Sequence, residues 1–399
     1  MNIHEYQAKK LLKNFKIAVP KGFIAYTPAE AKKAALKISD KGPWVLKAQI
    51  QAGARAKGHF LHQKNKISGI EIVNNFENIE PLSAQMLGSY LKTSQTGKNG
   101  KLVNKIYVEA FEKHKKTFYL SFVVNRIESC VTLLAANVTD DIVALAQKSP
   151  ESILKINFNL RQKIKQRDAA NLAAFLRLPK NCLLSLKTFV QNVLTAFMRL
   201  DATMLELNPV SLNEKGSFVA LDAKISFDDN ALFRHPEITA FDDDYELNEN
   251  VVKALKYGFT YHEFEDGNIG LIVNGDGLAL AMRDYLKQKG EKTACYLNIK
   301  GGVDEDKIAE SLKIMLTNPK VEGIIINILG GFLRCNLVAD GIISAVSDIG
   351  LNIPLVVRFE GTNKEAAREI LDNHHFNVLM ADSLQAAATQ LLDAIKEAC

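Results

Sequence analysis

Ile269-Gly270-Leu271-Ile272-Val273-Asn274 is a continuous apolar run, and Gly275-Asp276-Gly277 follows it at once. The same rhythm recurs downstream. Strand-like runs at Ala294–Ile299, Gly323–Leu329, Pro354–Phe359 and Asn377–Ala381 alternate with helical patterns at Leu278–Lys289, Glu305–Leu316, Leu337–Ile349, Glu365–Asn373 and Leu384–Glu397. Apolar strands separated by helices predict a parallel sheet covered on both faces.

The strand count suits a doubly wound, flavodoxin-like α/β domain, whose ligands lie beyond the carboxyl ends of its strands. Two turns at that edge are rich in glycine: Asn274-Gly275-Asp276-Gly277, and Gly330-Gly331 ahead of Phe332-Leu333-Arg334. Glycine lets a backbone approach a ligand, and the helix start that follows offers free N–H groups to an anion. Either turn alone is as easily a tight turn and nothing more; two at one edge favour a ligand site.

The N-terminal part reads as mixed. A helix opens near Asn2, with Glu5 in a capping-box position, and another follows Pro28. Strands are expected at Trp44–Ile50, Lys105–Ala110, Phe118–Asn125 and Cys130–Ala136, and a long helix at Leu183–Leu200. Residues 235–263, with the acidic run Asp242-Asp243-Asp244, read as a linker holding one helix. The expected organisation is therefore 1–234, a linker 235–263, and 264–399.

Composition narrows the function classes. The chain has 399 residues, 47% of them hydrophobic, which fits two or three globular domains and no disordered class. Its 50 basic and 45 acidic residues are interspersed, so no nucleic-acid partner is called for; Lys113-His114-Lys115-Lys116 reads as a solvated turn. Asn327, Arg334, Asn336 and Asp340 interrupt the most apolar stretch, which argues against a membrane helix, and the opening residues lack a signal-peptide pattern. Cys130, Cys182, Cys295, Cys335 and Cys399 stand far apart and without a CxxC pair. They read as reduced cytoplasmic thiols rather than a disulfide frame or zinc site.

The most informative local signal is Leu205–Leu212, then Asn213-Glu214-Lys215-Gly216-Ser217, then Phe218–Lys224. Two alternating runs around a glycine-containing turn predict a β-hairpin. With Gly216 left-handed in a three-residue loop, Asn213 faces Ser217, Asn208 faces Asp222, and Glu206 faces Lys224. Side chains two apart share a face, and opposed Cβ atoms lie about 4.5–5.5 Å apart. An Asn carbonyl and an Asp carboxylate so placed can share a hard cation such as Mg²⁺. The plainer alternative is an exposed face carrying a Glu206–Lys224 ion pair. No GxxxxGK[ST] loop is present, but Lys47, Gly53, Arg55 and Lys57 set cations on a strand and its following loop.

Several stretches together resemble the β subunits of succinyl-CoA synthetase (succinate–CoA ligase, ADP- or GDP-forming). They are Met1–Ala8, Trp44-Val45-Leu46-Lys47, Glu206-Leu207-Asn208-Pro209, Asn230–Arg234, Asp266–Gly270, Gly330–Cys335 and Arg358–Asn363, in family order along essentially the whole chain. The resemblance implies an ATP-grasp fold followed by a flavodoxin-like ligase domain. It implies a tricarboxylic acid cycle ligase that forms succinyl-CoA from succinate and CoA at the expense of ATP or GTP, with Mg²⁺. A phosphohistidine on a separate α subunit, which also binds most of CoA, would carry the phosphoryl group. The eight histidines of this chain fit that division, since none sits in a glycine-rich turn. By the same resemblance Lys47, Gly53, Ala54, Arg55, Glu109 and Thr117 occupy nucleotide-binding positions, Asn208 and Asp222 hold Mg²⁺, and Glu206 orients the partner's histidine. Asn274, Gly331, Phe332 and Leu333 face the acid and phosphate. The assembly would be αβ or α2β2.

The chain departs from that pattern at ligand edges. Ala54 and Ala56 flank Arg55 where the family has glycines, Thr117 replaces a glutamate, and Asn137–Asp141 replaces a Glu-Gly-Gly stretch. Asn298 and Lys300 interrupt an Asp-Val-Gly-Gly-Gly pattern, and Phe332-Leu333 replaces a smaller pair. These changes leave open a malate–CoA ligase or another acyl-CoA ligase, and a non-catalytic partner that keeps the fold. The retained Lys47, Glu206, Asn208 and Asp222 favour activity.

Overall fold

The structure is a computed structural model that describes the chain except residues 63–66, 139–141, 160–161, 242–247, 332, 375 and 399. Phe332, Thr139–Asp141 and Asp242–Asp244, all singled out above, lie outside the described residues. The chain divides into two compact units, Met1–Glu246 and Leu247–Cys399.

The first unit opens with helix α1 (Glu5–Asn14). Its cap differs from the expectation: the His4 N–H donates to the Gln7 side chain at 2.8 Å, so Gln7 is the capping partner and Glu5 is released for another task. Strand β1 (Gly22–Ala25) leads to α2 (Pro28–Ile38), where Pro28 fills the first turn and Thr27 caps it by accepting from the Glu30 N–H at 3.2 Å. With β2 (Trp44–Ala48), β3 (Ile70–Val73) and β4 (Ile106–Ala110), β1 forms an antiparallel sheet in the order β1-β4-β2-β3. Alternation splits this sheet cleanly. Trp44, Leu46, Ala48, Ile106 and Val108 enter an apolar core, while Lys47 and Glu109 lie on the other face.

A second antiparallel sheet runs β7-β6-β5-β8-β9, from β5 (Lys116–Asn125), β6 (Cys130–Ala136), β7 (Leu154–Phe158), β8 (Ala202–Leu212) and β9 (Phe218–Ala220). Strand β10 (Ala223–Phe227) pairs with β8. Helix α3 (Leu183–Arg199) buries Leu186, Phe189, Val190, Val193, Leu194 and Phe197 in the core beneath this sheet.

Among its described residues the second unit opens with α4 (Glu249–Lys256) and carries six strands: β11 (Thr260–Glu263), β12 (Ile269–Val273), β13 (Thr293–Asn298), β14 (Gly323–Gly330), β15 (Leu355–Gly361) and β16 (Val378–Met380). Their order is β11-β13-β12-β14-β15-β16. The last five are parallel in the flavodoxin-like order, with crossover helices α5 (Asp276–Gln288), α6 (Glu305–Leu316), α7 (Cys335–Ile349) and α8 (Lys364–Asn373), and α9 (Leu384–Ala398) closing the chain. The antiparallel edge strand β11 was not foreseen: Thr260-Tyr261-His262-Glu263 is too polar for a buried parallel strand, and it pairs only with β13. Among the described residues no helix is long and apolar enough to cross a membrane. Cys130, Cys182, Cys295 and Cys335 are free and buried.

Candidate nucleotide and metal site

The hairpin β8–β10 has the register read from its turn. Gly216 is left-handed (φ +79°), Leu212 faces Phe218, and Glu206 faces Lys224. Between Leu207 and Val210 the ladder is interrupted on both sides of β8, where Pro209 offers no N–H. The gap sets Asn208 and Asp222 outside the regular pairing. Asn208 Oδ1 is buried and has no hydrogen-bond partner among the described residues, and Asp222 Oδ1 accepts from the Ala223 N–H at 2.7 Å. Glu206 is held from two sides: Tyr119 Oη and Lys224 Nζ each donate to it at 3.2 Å. Burial, with Glu206 beside it, pushes the Tyr119 hydroxyl well above its ordinary range.

Next to this hairpin lies a buried ionic cluster drawn from five parts of the chain. Lys47 Nζ meets Glu5 Oε1 at 2.9 Å and Glu109 Oε1 at 2.5 Å. The Arg55 guanidinium bridges Glu5 at 2.7 Å and Asp222 at 2.8 Å, and donates to the Ala48 carbonyl at 2.9 Å. Lys9 Nζ reaches Glu5 Oε1 at 2.7 Å and Glu109 Oε2 at 2.5 Å. Both Lys47 and Lys9 donate to the Leu221 carbonyl, at 2.7 and 2.6 Å. Lys9, Lys47 and Arg55 thus balance Glu5, Glu109 and Asp222, as buried charges require. Burial would raise the Glu5 carboxyl, but Lys47, Lys9 and Arg55 hold it well below the usual range. Burial likewise opposes the charges of Lys47 and Arg55, yet their carboxylate neighbours raise both.

The loop after β2 fits the cluster closely. The Gly53 N–H donates to Gln95 Oε1 at 2.7 Å, and a Cβ on Gly53 would stand 2.7 Å from both Gln95 Oε1 and Lys224 Nζ. Ala54 keeps the left-handed conformation (φ +57°) that a glycine would hold there, whereas Ala56 lies in the short turn Arg55–Lys57 with no such demand. A cavity of about 190 Å³ opens here, with Glu5, Arg55, Gln95 and Lys224 in its wall. Lys57 is exposed. Thr117 of β5 pairs with Ser211 of β8 and lies two residues before Tyr119 on the same face.

Asn208 and Asp222 suit a hard cation such as Mg²⁺: both offer oxygen, and among the described residues nothing donates to the buried Asn208 acceptor. Among the described residues no group of three or more His, Cys, Asp or Glu could hold a metal. Two oxygen donors are fewer than a hard cation takes, so Asn208 and Asp222 could serve one only together with phosphate and water oxygens.

At the second unit the outcome is different. Asn274 spends its side chain on Leu329, donating at 2.8 Å and accepting at 3.0 Å, and so pins β12 to β14. The Leu333 side chain is 2% exposed and lies in the apolar core, so only its backbone can face a ligand. The following helix starts at Cys335, not directly after Gly331. The Cys335 N–H already donates to Thr362, and the Gly331 N–H to Leu329, so neither is a free anion donor.

Sequence reading passed over Glu5 and Lys9 as cluster members. The signal was present: Glu5, Ala8, Lys9 and Leu12 share one buried helical face, and charges on such a face demand partners.

The antiparallel paired sheets with a charged cleft, followed by the parallel domain, define an ATP-grasp protein joined to a CoA-ligase domain. The ATP-grasp domain family matches residues 2–212 and the CoA-ligase family residues 272–392. The β subunit of ADP-forming succinate–CoA ligase from Acidiphilium cryptum is 39% identical over 400 residues, covering 100% of both chains. Those of Polaromonas sp. and Rickettsia conorii are 39% and 38% identical, over 99% of this chain and 100% of theirs. ATP citrate lyase from Methanothrix soehngenii, solved with citrate and coenzyme A, shares the fold (TM-score 0.75, 14% identity, 99% of both chains). This chain belongs to the succinate–CoA ligase β-subunit family.

Proposed function

We propose that this chain is the nucleotide-grasping β half of a succinate–CoA ligase and works beside a separate α subunit. The reaction is succinate + CoA + NTP ⇌ succinyl-CoA + NDP + phosphate. A histidine of the α subunit takes the phosphoryl group, which passes to succinate before CoA displaces it. The observation that carries the reading is the match at 39% identity along the entire chain to relatives named for this ligase.

Within that reading Lys47, Arg55 and the backbone at Gly53–Ala54 face the phosphates, with Glu109 and Thr117 at the nucleotide. Asn208 and Asp222 hold Mg²⁺, which neutralises phosphate charge when bound. Arg55 exchanges its Asp222 partner for phosphate, leaving that carboxylate free for the metal. Glu206, held by Tyr119 and Lys224, orients the partner's histidine. Asn274 and the backbone at Gly331 and Leu333 border the acid, and the α subunit binds most of CoA. The assembly is αβ or α2β2 and cytoplasmic. The left-handed backbone kept at Ala54 supports an active enzyme over a degenerate partner, since the loop shape outlasts the loss of its glycine.

Asp222→Ala tests the reading. Turnover of the complex is expected to fall about a hundredfold or more, with α-subunit assembly intact on gel filtration. Parental turnover in that variant would refute the metal assignment.

A further inference from the structure

Lys9 has no place in the phosphate grip described above, yet it is the most completely buried charged side chain of the cluster, at 0% exposure. Its ammonium has three donors and three acceptors: Glu5 Oε1, Glu109 Oε2 and the Leu221 carbonyl, all within 2.7 Å. The Tyr107 ring closes the remaining side, its centroid 5.4 Å away. Two of these acceptors belong to the proposed site. Glu109 shares its other oxygen with Lys47, and Leu221 directly precedes Asp222.

We propose that Lys9 is a positioning residue for Mg·nucleotide binding, an inference that rests on the nucleotide reading. From inside the fold it anchors the Glu109 carboxylate and the Leu221–Asp222 turn. It also supplies the counter-charge that Glu5 and Glu109 need when Lys47 and Arg55 turn to phosphate. Without it, two buried carboxylates compete with the incoming polyanion for the same two cations.

Lys9→Met keeps the length of the side chain and removes its charge. The double variant Lys9→Met/Glu5→Gln removes one cation with one anion, so its cluster stays neutral and foldable. Both are compared with the parent as complexes with the α subunit, by calorimetric titration of Mg·ATP and by steady-state kinetics. In Lys9→Met the Kd for Mg·ATP is expected to rise about a hundredfold, and in the folded double variant, where the Glu5 charge no longer competes but the anchor on Glu109 and Leu221 is still lost, about tenfold. The Mg²⁺ dependence shifts with it, and the KM values for succinate and CoA stay unchanged. A purely structural lysine would lower the melting temperature and leave that split absent. Parental Mg·ATP affinity in the folded double variant overturns the proposal. A parental complex that binds no Mg·ATP removes the nucleotide reading and this role together, and is told apart by the parent alone.

Discussion

The two units solve opposite problems with their polar groups. In the C-terminal sheet, β12 is buried throughout, and one polar row crosses three strands, β13, β14 and β15: Asn298 and Asn327 beside Val273, then Arg358. In the N-terminal unit, three cations and three carboxylates interlock beneath the surface at Lys9, Lys47, Arg55, Glu5, Glu109 and Asp222. The first arrangement is held by apolar burial, which needs only the right pattern. The second gains little stability over an apolar replacement and loses much when one partner goes, so its worth lies in chemistry.

That contrast can be broken by single substitutions. Lys47→Met leaves Glu5 and Glu109 short of a buried partner and is expected to cost about 3–5 kcal/mol, by urea unfolding. Adding Glu109→Gln should return most of that loss while nucleotide binding stays absent. Leu271→Ala, at a position 0% exposed in the C-terminal core, should cost about 2–5 kcal/mol, with no charge-neutralising rescue available. If both losses responded alike to second-site charge removal, the distinction between the units would fail.

A pH series sharpens the comparison further. Burial, aided by Lys105 and Arg55, lowers the His4 imidazole from 6.5 to about 3. Because the folded value lies below the unfolded one, the contribution is complete above pH 6.5 and is lost as pH falls toward 3. At pH 5 the loss is on the order of 2 kcal/mol. Glu5, also lowered, adds its own loss below about pH 4.5. His4→Gln should flatten the slope between pH 6.5 and 5, and an unchanged slope would contradict the assignment.

The smallest effects concern the vanished glycines. Ala54 and Lys300 both hold left-handed backbone, at φ +57° and +59°. Ala54→Gly and Lys300→Gly should each stabilise by about 0.5–1 kcal/mol, and Ala54→Gly alone should also alter nucleotide affinity.

The same contrast explains what was legible in the sequence. The five parallel strands and their helices fall within a residue or two of the expected bounds, because continuous apolar runs and helical periodicity are local signals. Only β11 escaped, its alternation being short and polar. The β8–β10 hairpin was equally legible, since Gly216 dictates its register. The ionic cluster was not, because Lys9 meets Glu109 and Leu221 across 100 and 212 positions, and no local pattern announces such a pairing. Leu333 misled for the opposite reason: a residue beside a glycine turn can point its side chain straight into the core.

The central claim is that this chain grips the nucleotide for a ligation completed by another subunit. Its most direct test is to co-purify the chain with the α subunit from the same genome and measure CoA-dependent ADP and GDP formation with succinate. The account predicts turnover by the complex and none by the chain alone. A stable complex that releases no nucleoside diphosphate, formed with an α subunit active beside another β, would contradict it.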